Sequence, residues 1–479
     1  ISLSSAAGTD AQTVCINNPI VNIRYDVGGS GTGGSVSGLP AGVTGTYAAG
    51  VITITGTQTV AGTFNYIVST TGPCLTPQAN GILTVSPDHT ISLTGGTANQ
   101  TVCINTPISP ITLTLGGGAT GITPAGLPPG VTATVAGNIV TISGTPTSTA
   151  GSPYNFTLTT TGNSCITANF TGSIVVNPDH AIALAGGNPN QTVCVNVAIT
   201  PFTLTLSGGA NNIAAPVNLP PGVTANVVGN TVTISGTPTL AGTYAYSLTT
   251  SGNSCLTANF TGTIIVNPDH AISLTGGTAN QTVCINTPIS PITLLLGGGA
   301  TGITPAGLPP GVTATVVGNT VTISGAPTST AGSPYNFTLT TTGNSCVTAN
   351  FTGSITVNPD HGIALAGGNP NQTVCVNVAI TPFTLTLSGG ANNIAAPSNL
   401  PPGVTANVVG NTVTISGTPT AAGSYAYGIT TTGNSCVTAN FAGTINVTAD
   451  ATISLISGSN TQTVCRNVAI TDIDYTIGG

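Results

Sequence analysis

Apolar Ile111, Leu113 and Leu115 alternate with Thr112 and Thr114, and Tyr154, Phe156 and Leu158 alternate with Asn155, Thr157 and Thr159. A strand turns successive side chains to opposite faces, so each run predicts a strand with one apolar and one hydroxylated face. Gly137-Asn138 separates the runs Thr132–Ala136 and Ile139–Ser143 and predicts a two-residue hairpin turn with glycine first. The same Gly-Asn pair returns at Gly229, Gly318 and Gly410, whereas the first such turn reads Ala48-Ala49-Gly50. Leu127-Pro128-Pro129-Gly130 breaks the chain before the hairpin. Helical periodicity is absent from every segment longer than a few residues. The pattern predicts roughly seven strands in about ninety residues, the plan of a two-sheet sandwich.

That unit repeats. The cysteines stand at Cys15, Cys74, Cys103, Cys165, Cys194, Cys255, Cys284, Cys346, Cys375, Cys436 and Cys465, with spacings alternating between about sixty residues and about thirty. The period is therefore 88 to 91 residues with two cysteines in each. The first lies in a Thr-Val-Cys segment such as Thr101 to Cys103, and the second mostly closes a Gly-Asn-Ser-Cys segment such as Gly162 to Cys165. The expected domains are 1–87, 88–178, 179–268, 269–359 and 360–449, with 450–479 as the start of a sixth. Residues 91–271 recur almost unchanged 181 residues later, so immediate neighbours differ more than next-nearest ones, which should limit strand swapping. Ile453 to Gly479 parallels Ile1 to Gly29. Two readings of this stub stand, truncation of a longer chain and strand donation between subunits; truncation is favoured because repeats one to five look complete.

Spacing predicts one disulfide inside each repeat: Cys15–Cys74, Cys103–Cys165, Cys194–Cys255, Cys284–Cys346 and Cys375–Cys436, with the partner of Cys465 beyond Gly479. Metal binding is the alternative, but Cys-x-x-Cys spacing and nearby histidines are lacking. Disulfides in every repeat imply an oxidising compartment and hence an exported, extracellular chain.

Composition narrows the chemistry. Only Arg24 and Arg466 are cationic and all nine acids are Asp, so the chain cannot neutralise a phosphate backbone and nucleic acid is excluded as a partner. Lys, Glu, Met and Trp are absent. His89, His180, His270 and His361 all follow an Asp at a junction of the type Pro87-Asp88-His89, and none has partners set out as a triad. The expectation is no enzyme, no catalytic residue, no cofactor and no metal site. The Asp-His junctions read either as an interdomain cation site or pH-sensitive hinge, or as short polar linkers; one Asp per junction is few ligands for calcium, which favours the linker. Such short junctions predict sandwiches end to end, an elongated rod above about 150 Å for five.

Candidate glycosylation sequons are Asn99, Asn190, Asn280 and Asn371 in Asn-Gln-Thr, and Asn155, Asn169, Asn259, Asn336 and Asn350 in Asn-Phe-Thr. Ordinary hydroxylated strand faces account for them better, as they do for Thr-x-Thr pairs such as Thr112/Thr114 that resemble ice-binding surfaces. Aromatic pairs Phe64/Tyr66, Tyr244/Tyr246 and Tyr425/Tyr427 are two apart on one strand, the spacing of a core and not of a sugar platform.

Leu127-Pro128-Pro129-Gly130-Val131, then Ile142-Ser143-Gly144-Thr145-Pro146-Thr147, then Ala150-Gly151 before an aromatic strand, resemble the Ig-like repeats of giant surface proteins. With the Thr-Val-Cys and Gly-Asn-Ser-Cys additions, the chain resembles the versions in Bacteroidota, large cargo of type IX secretion that includes gliding adhesins. Gln58 departs from the motif Pro in repeat one and Ala326 from its Thr in repeat four. The resemblance implies an all-β tandem array of Ig-like sandwiches, attached to the cell surface and serving as the non-catalytic shaft of an adhesin or extracellular filament. Its partners would be neighbouring repeats of the same chain and identical chains in a filament. A laterally associated multi-chain fibre and a carbohydrate-binding module array are the alternatives. Low charge favours lateral association, and tandem repetition favours a single-chain stalk.

Overall fold

The computed structural model describes residues 1–479, which form strands and turns and no helix. No helix is long and apolar enough to cross a membrane, which leaves β-barrels aside. Repeat two shows the plan. One antiparallel sheet runs in the order His89–Gly95, Ile111–Gly117, Ile139–Gly144, Val131–Ala136. The other runs Asn99–Cys103, Asn169–Asn177, Tyr154–Gly162, Ala119–Ala125. This is an Ig-like sandwich of eight strands, one more than the pattern suggested. The extra strand arises because the first run splits at Gly95-Gly96: its first half joins one sheet, and its second half lies parallel to Asn169–Asn177 in the other.

The two periodic runs face each other across the core. Ile111, Leu113, Val140 and Ile142 of one sheet meet Phe156, Leu158, Ile174 and Val176 of the other, all buried. The hairpin closes at Gly137-Asn138 with Ala136 opposite Ile139. Gly137 has φ +62°, a conformation that costs glycine little and a side chain more. In repeat one the turn still forms, with Ala49 and Gly50 both at positive φ. Gln58, in the place of the motif Pro, is fully buried and donates from Nε2 to the Cys15 carbonyl at 2.8 Å.

The chain divides into two compact units, residues 1–191, 198–237 and 243–264 in one, and 192–197, 238–242 and 265–479 in the other. Repeats one and two lie wholly in the first unit, and repeats four and five wholly in the second. All four share the eight-strand plan. In the sixth repeat, Thr452–Ser457 and Asp474–Gly478 pair as a two-stranded sheet.

Tyr246 and Tyr427 occupy the core position held by Phe156 and Phe337 in repeats two and four. Each hydroxyl donates to a proline carbonyl, Pro189 and Pro370, at 3.0 Å. Burial disfavours the phenolate and pushes both groups up to about 12. A neutral form held in the fold contributes stability fully below the ordinary value of 10.0, and that contribution is lost as pH rises through about 12. Repeats three and five are therefore expected to open in alkali before repeats two and four. Titration followed by phenolate absorbance and by hydrogen exchange checks this, and Tyr246→Phe with Tyr427→Phe should remove the difference.

Candidate functional site

The two cysteines of a repeat lie at opposite ends of its sandwich. Cys103 ends the second strand in parallel register beside Asn177, and Asn105, at φ +59°, turns the chain away just beyond. Cys165 lies in the turn before Asn169, at the other end of the nine-residue strand Asn169–Asn177. That strand is about 30 Å long, whereas bridged cysteines need Cα atoms within about 7 Å. The bridges Cys15–Cys74, Cys103–Cys165, Cys194–Cys255, Cys284–Cys346 and Cys375–Cys436 expected from spacing are therefore corrected.

Each observed bridge joins one repeat to the next. Cys15 bonds Cys165, Cys103 bonds Cys255, Cys194 bonds Cys346 and Cys284 bonds Cys436, with Cα separations of 5.3, 5.4, 5.5 and 5.5 Å. Cys74, Cys375 and Cys465 are free and exposed. The first cysteine sits where its repeat ends, since Cys15 pairs in register with Ser86. The second sits where its repeat begins, with the Cys165 sulfur 3.6 Å from the Ser86 carbonyl.

Polar groups close the same junction. Asn163 donates from Nδ2 to the Pro87 carbonyl at 3.1 Å, while its Oδ1 accepts the Cys165 N–H at 2.9 Å. The Asp88 carboxylate accepts the Ile166 N–H at 3.2 Å, and the His89 N–H donates to the Ile166 carbonyl at 2.9 Å. The His89 ring is buried, its Nδ1 2.9 Å from Thr160 Oγ1 and its Nε2 2.9 Å from Asn163 Oδ1. Asn253 with His180, Asn344 with His270 and Asn434 with His361 repeat the arrangement. The junction read from sequence as a short polar linker is thus packed, with its histidine buried in a hydrogen-bonded plug. Removing a member of such a buried network leaves its partners unsatisfied, at about 1–3 kcal/mol each. The asparagines and Thr160 were missed in the sequence, although Gly-Asn-Ser-Cys recurs in each of the four repeats that open with Asp-His and is replaced by Gly72-Pro73-Cys74 in repeat one, which does not.

The other candidates fall elsewhere. No group of three or more His, Cys, Asp or Glu side chains could hold a metal ion. All nine sequon asparagines are exposed. The Oδ1 atoms of Asn99, Asn190 and Asn371 accept backbone N–H groups of Ser173, Thr263 and Thr444. Tyr66, Tyr246 and Tyr427 are buried, and Phe64 and Tyr425 pack half-buried against the core, so they offer no flat aromatic platform.

No protein-family model matches the chain, and no curated protein does. Solved structures similar to it include the I-band fragment I67-I69 from titin, at 12% identity over 56% of this chain and 98% of that one, with a TM-score of 0.42. The protocadherin gammaB4 extracellular domain matches at 12% identity over 98% of this chain and 88% of that one, with a TM-score of 0.35. The N-terminal eight Ig domains of Down syndrome cell adhesion molecule match at 13% over 94% and 60%, with a TM-score of 0.28.

Proposed function

We propose that this chain is the shaft of a secreted, cell-surface filament that sets distance and transmits force without chemistry. The observation that carries this reading is the covalent bond between consecutive repeats at the junctions, where a chain of independent binding modules would need only a linker. Four disulfides fit an oxidising, extracellular compartment. Within this reading the filament belongs to an adhesin of the kind exported by type IX secretion in Bacteroidota, with gliding as its setting. Each repeat, with the boundaries read from sequence, is one link.

Lateral association into a multi-chain fibre is a second reading, favoured by Val228, Val317 and Val409, which stand 71%, 79% and 72% exposed beside the hairpin turns. Deleting residues 91–271 in the producing cell tests the shaft reading, because the deletion keeps the repeat register and places Cys15 opposite Cys346. The filament should shorten by two repeats while its adhesive specificity stays unchanged. Loss of binding to a defined sugar would overturn the shaft in favour of a binding-module array. Imaging the same filaments across their width separates one chain from several.

A further inference from the structure

We infer that the bridges divide the chain into two interleaved load-bearing tracks that make it nearly inextensible while oxidised. The inference rests on the shaft reading for its biological use, although the tracks themselves follow from covalent connectivity. One track runs through Cys15 to Cys165, along the chain to Cys194, across to Cys346 and along to Cys375. The other runs from Cys74 to Cys103, across to Cys255, along to Cys284, across to Cys436 and on to Cys465. Tension passing along either track bypasses the residues enclosed by each bridge, which include most of the core strands.

Two observations support load-bearing over simple stapling. First, every link has one length. Cys74 to Cys103, Cys165 to Cys194, Cys255 to Cys284, Cys346 to Cys375 and Cys436 to Cys465 are all 29 residues apart, whereas the stretches between the two cysteines of a repeat vary from 59 to 62. Tracks that share a load must have matched links, or the shorter one carries all of it; the bypassed stretch is free of that constraint. Second, the link is already drawn out in the fold. Between Cys346 and Cys375 the chain forms the strands Asn350–Asn358, His361–Gly367 and Gln372–Cys375, separated by two and then four residues. A strand rises about 3.3 Å per residue, close to the chain's limit of about 3.3–3.6 Å, so pulling gains little even after a core opens.

Single-molecule pulling on the full chain between click-reactive residues placed at exposed Asn18 and Val378 tests this. Oxidised protein should reach its limit at a covalent path of about 64 residues, or about 210–230 Å, with no step as long as a repeat. Reduced protein should extend to about 360 residues, about 1,200–1,300 Å, in steps of about 300 Å. Replacing Cys194→Ser with Cys346→Ser cuts one track. The oxidised path must then detour through the other track and should lengthen to about 150 residues. An oxidised limit near 120 residues, the value for links in series through every repeat, would overturn the inference. Repeat-sized steps before reduction, or no change in the two-serine variant, would also overturn it. Failure here leaves the deletion result standing, and failure of the deletion leaves the tracks standing.

Discussion

Cleaving the backbone at Asn80-Gly81 should leave the protein as one full-length band until the disulfides are reduced. This is the chain's single Asn-Gly bond, and hydroxylamine cuts such bonds selectively in denaturant once free thiols are alkylated. Cys15–Cys165 spans the cut, because its sequence separation of 150 encloses residue 80. A bridge from Cys15 to Cys74 would close before the cut and release an N-terminal fragment at once. The outcome is therefore all or none on a non-reducing gel. The principle extends along the chain, since the four bridges overlap and enclose every peptide bond from Cys15 to Cys436. Release of the fragment without reductant would restore pairing within the repeat and remove the basis for both tracks.

The strands were legible because alternation is a local signal: Ile111, Leu113 and Leu115 need only their neighbours to declare a face. The hairpin at Gly137 was legible for the same reason, since the turn needs a residue that accepts positive φ. Pairing of the cysteines was not. It depends on whether the strand ending at Cys103 lies parallel or antiparallel to Asn169–Asn177, and that choice is made by strands about seventy residues apart. Parallel pairing puts Cys103 at the exit of its repeat and Cys165 at the entrance, after which no bridge within the repeat can reach. The junction histidines were misread for a related reason. Polar residues after a proline look like a linker, and only the distant Thr160 and Asn163 show that His89 has a buried place to go. The equal 29-residue spacings were visible from the start, but acquire meaning only once the bridges are known to join different repeats.

Breaking the bridge Cys103–Cys255 with a pair of serines should weaken repeats two and three together. The two cysteines are separated by 152 residues, and closing a loop of that length in the unfolded chain is worth up to about 5 kcal/mol in the chain-entropy model. The loop takes in the core strands of repeat two and those of repeat three through Tyr246, so both lose the constraint. The other bridges still tether neighbouring segments, hence the loss should fall below that ceiling. Both cysteines must be replaced, since a lone thiol left at Cys255 could exchange with its neighbours. Hydrogen exchange provides the readout. Protection at Ile111, Leu113 and Ile174 should fall by a similar factor to protection at Leu204 and Ile234, all fully buried in the native chain. The same amides in repeat five, which the bridge does not enclose, should keep their rates. A loss confined to repeat two or to repeat three would mean that each sandwich carries its own staple. Equal loss in both, with repeat five unmoved, is what a bond laid across a junction must produce, because its entropy belongs to the loop and the loop belongs to two domains.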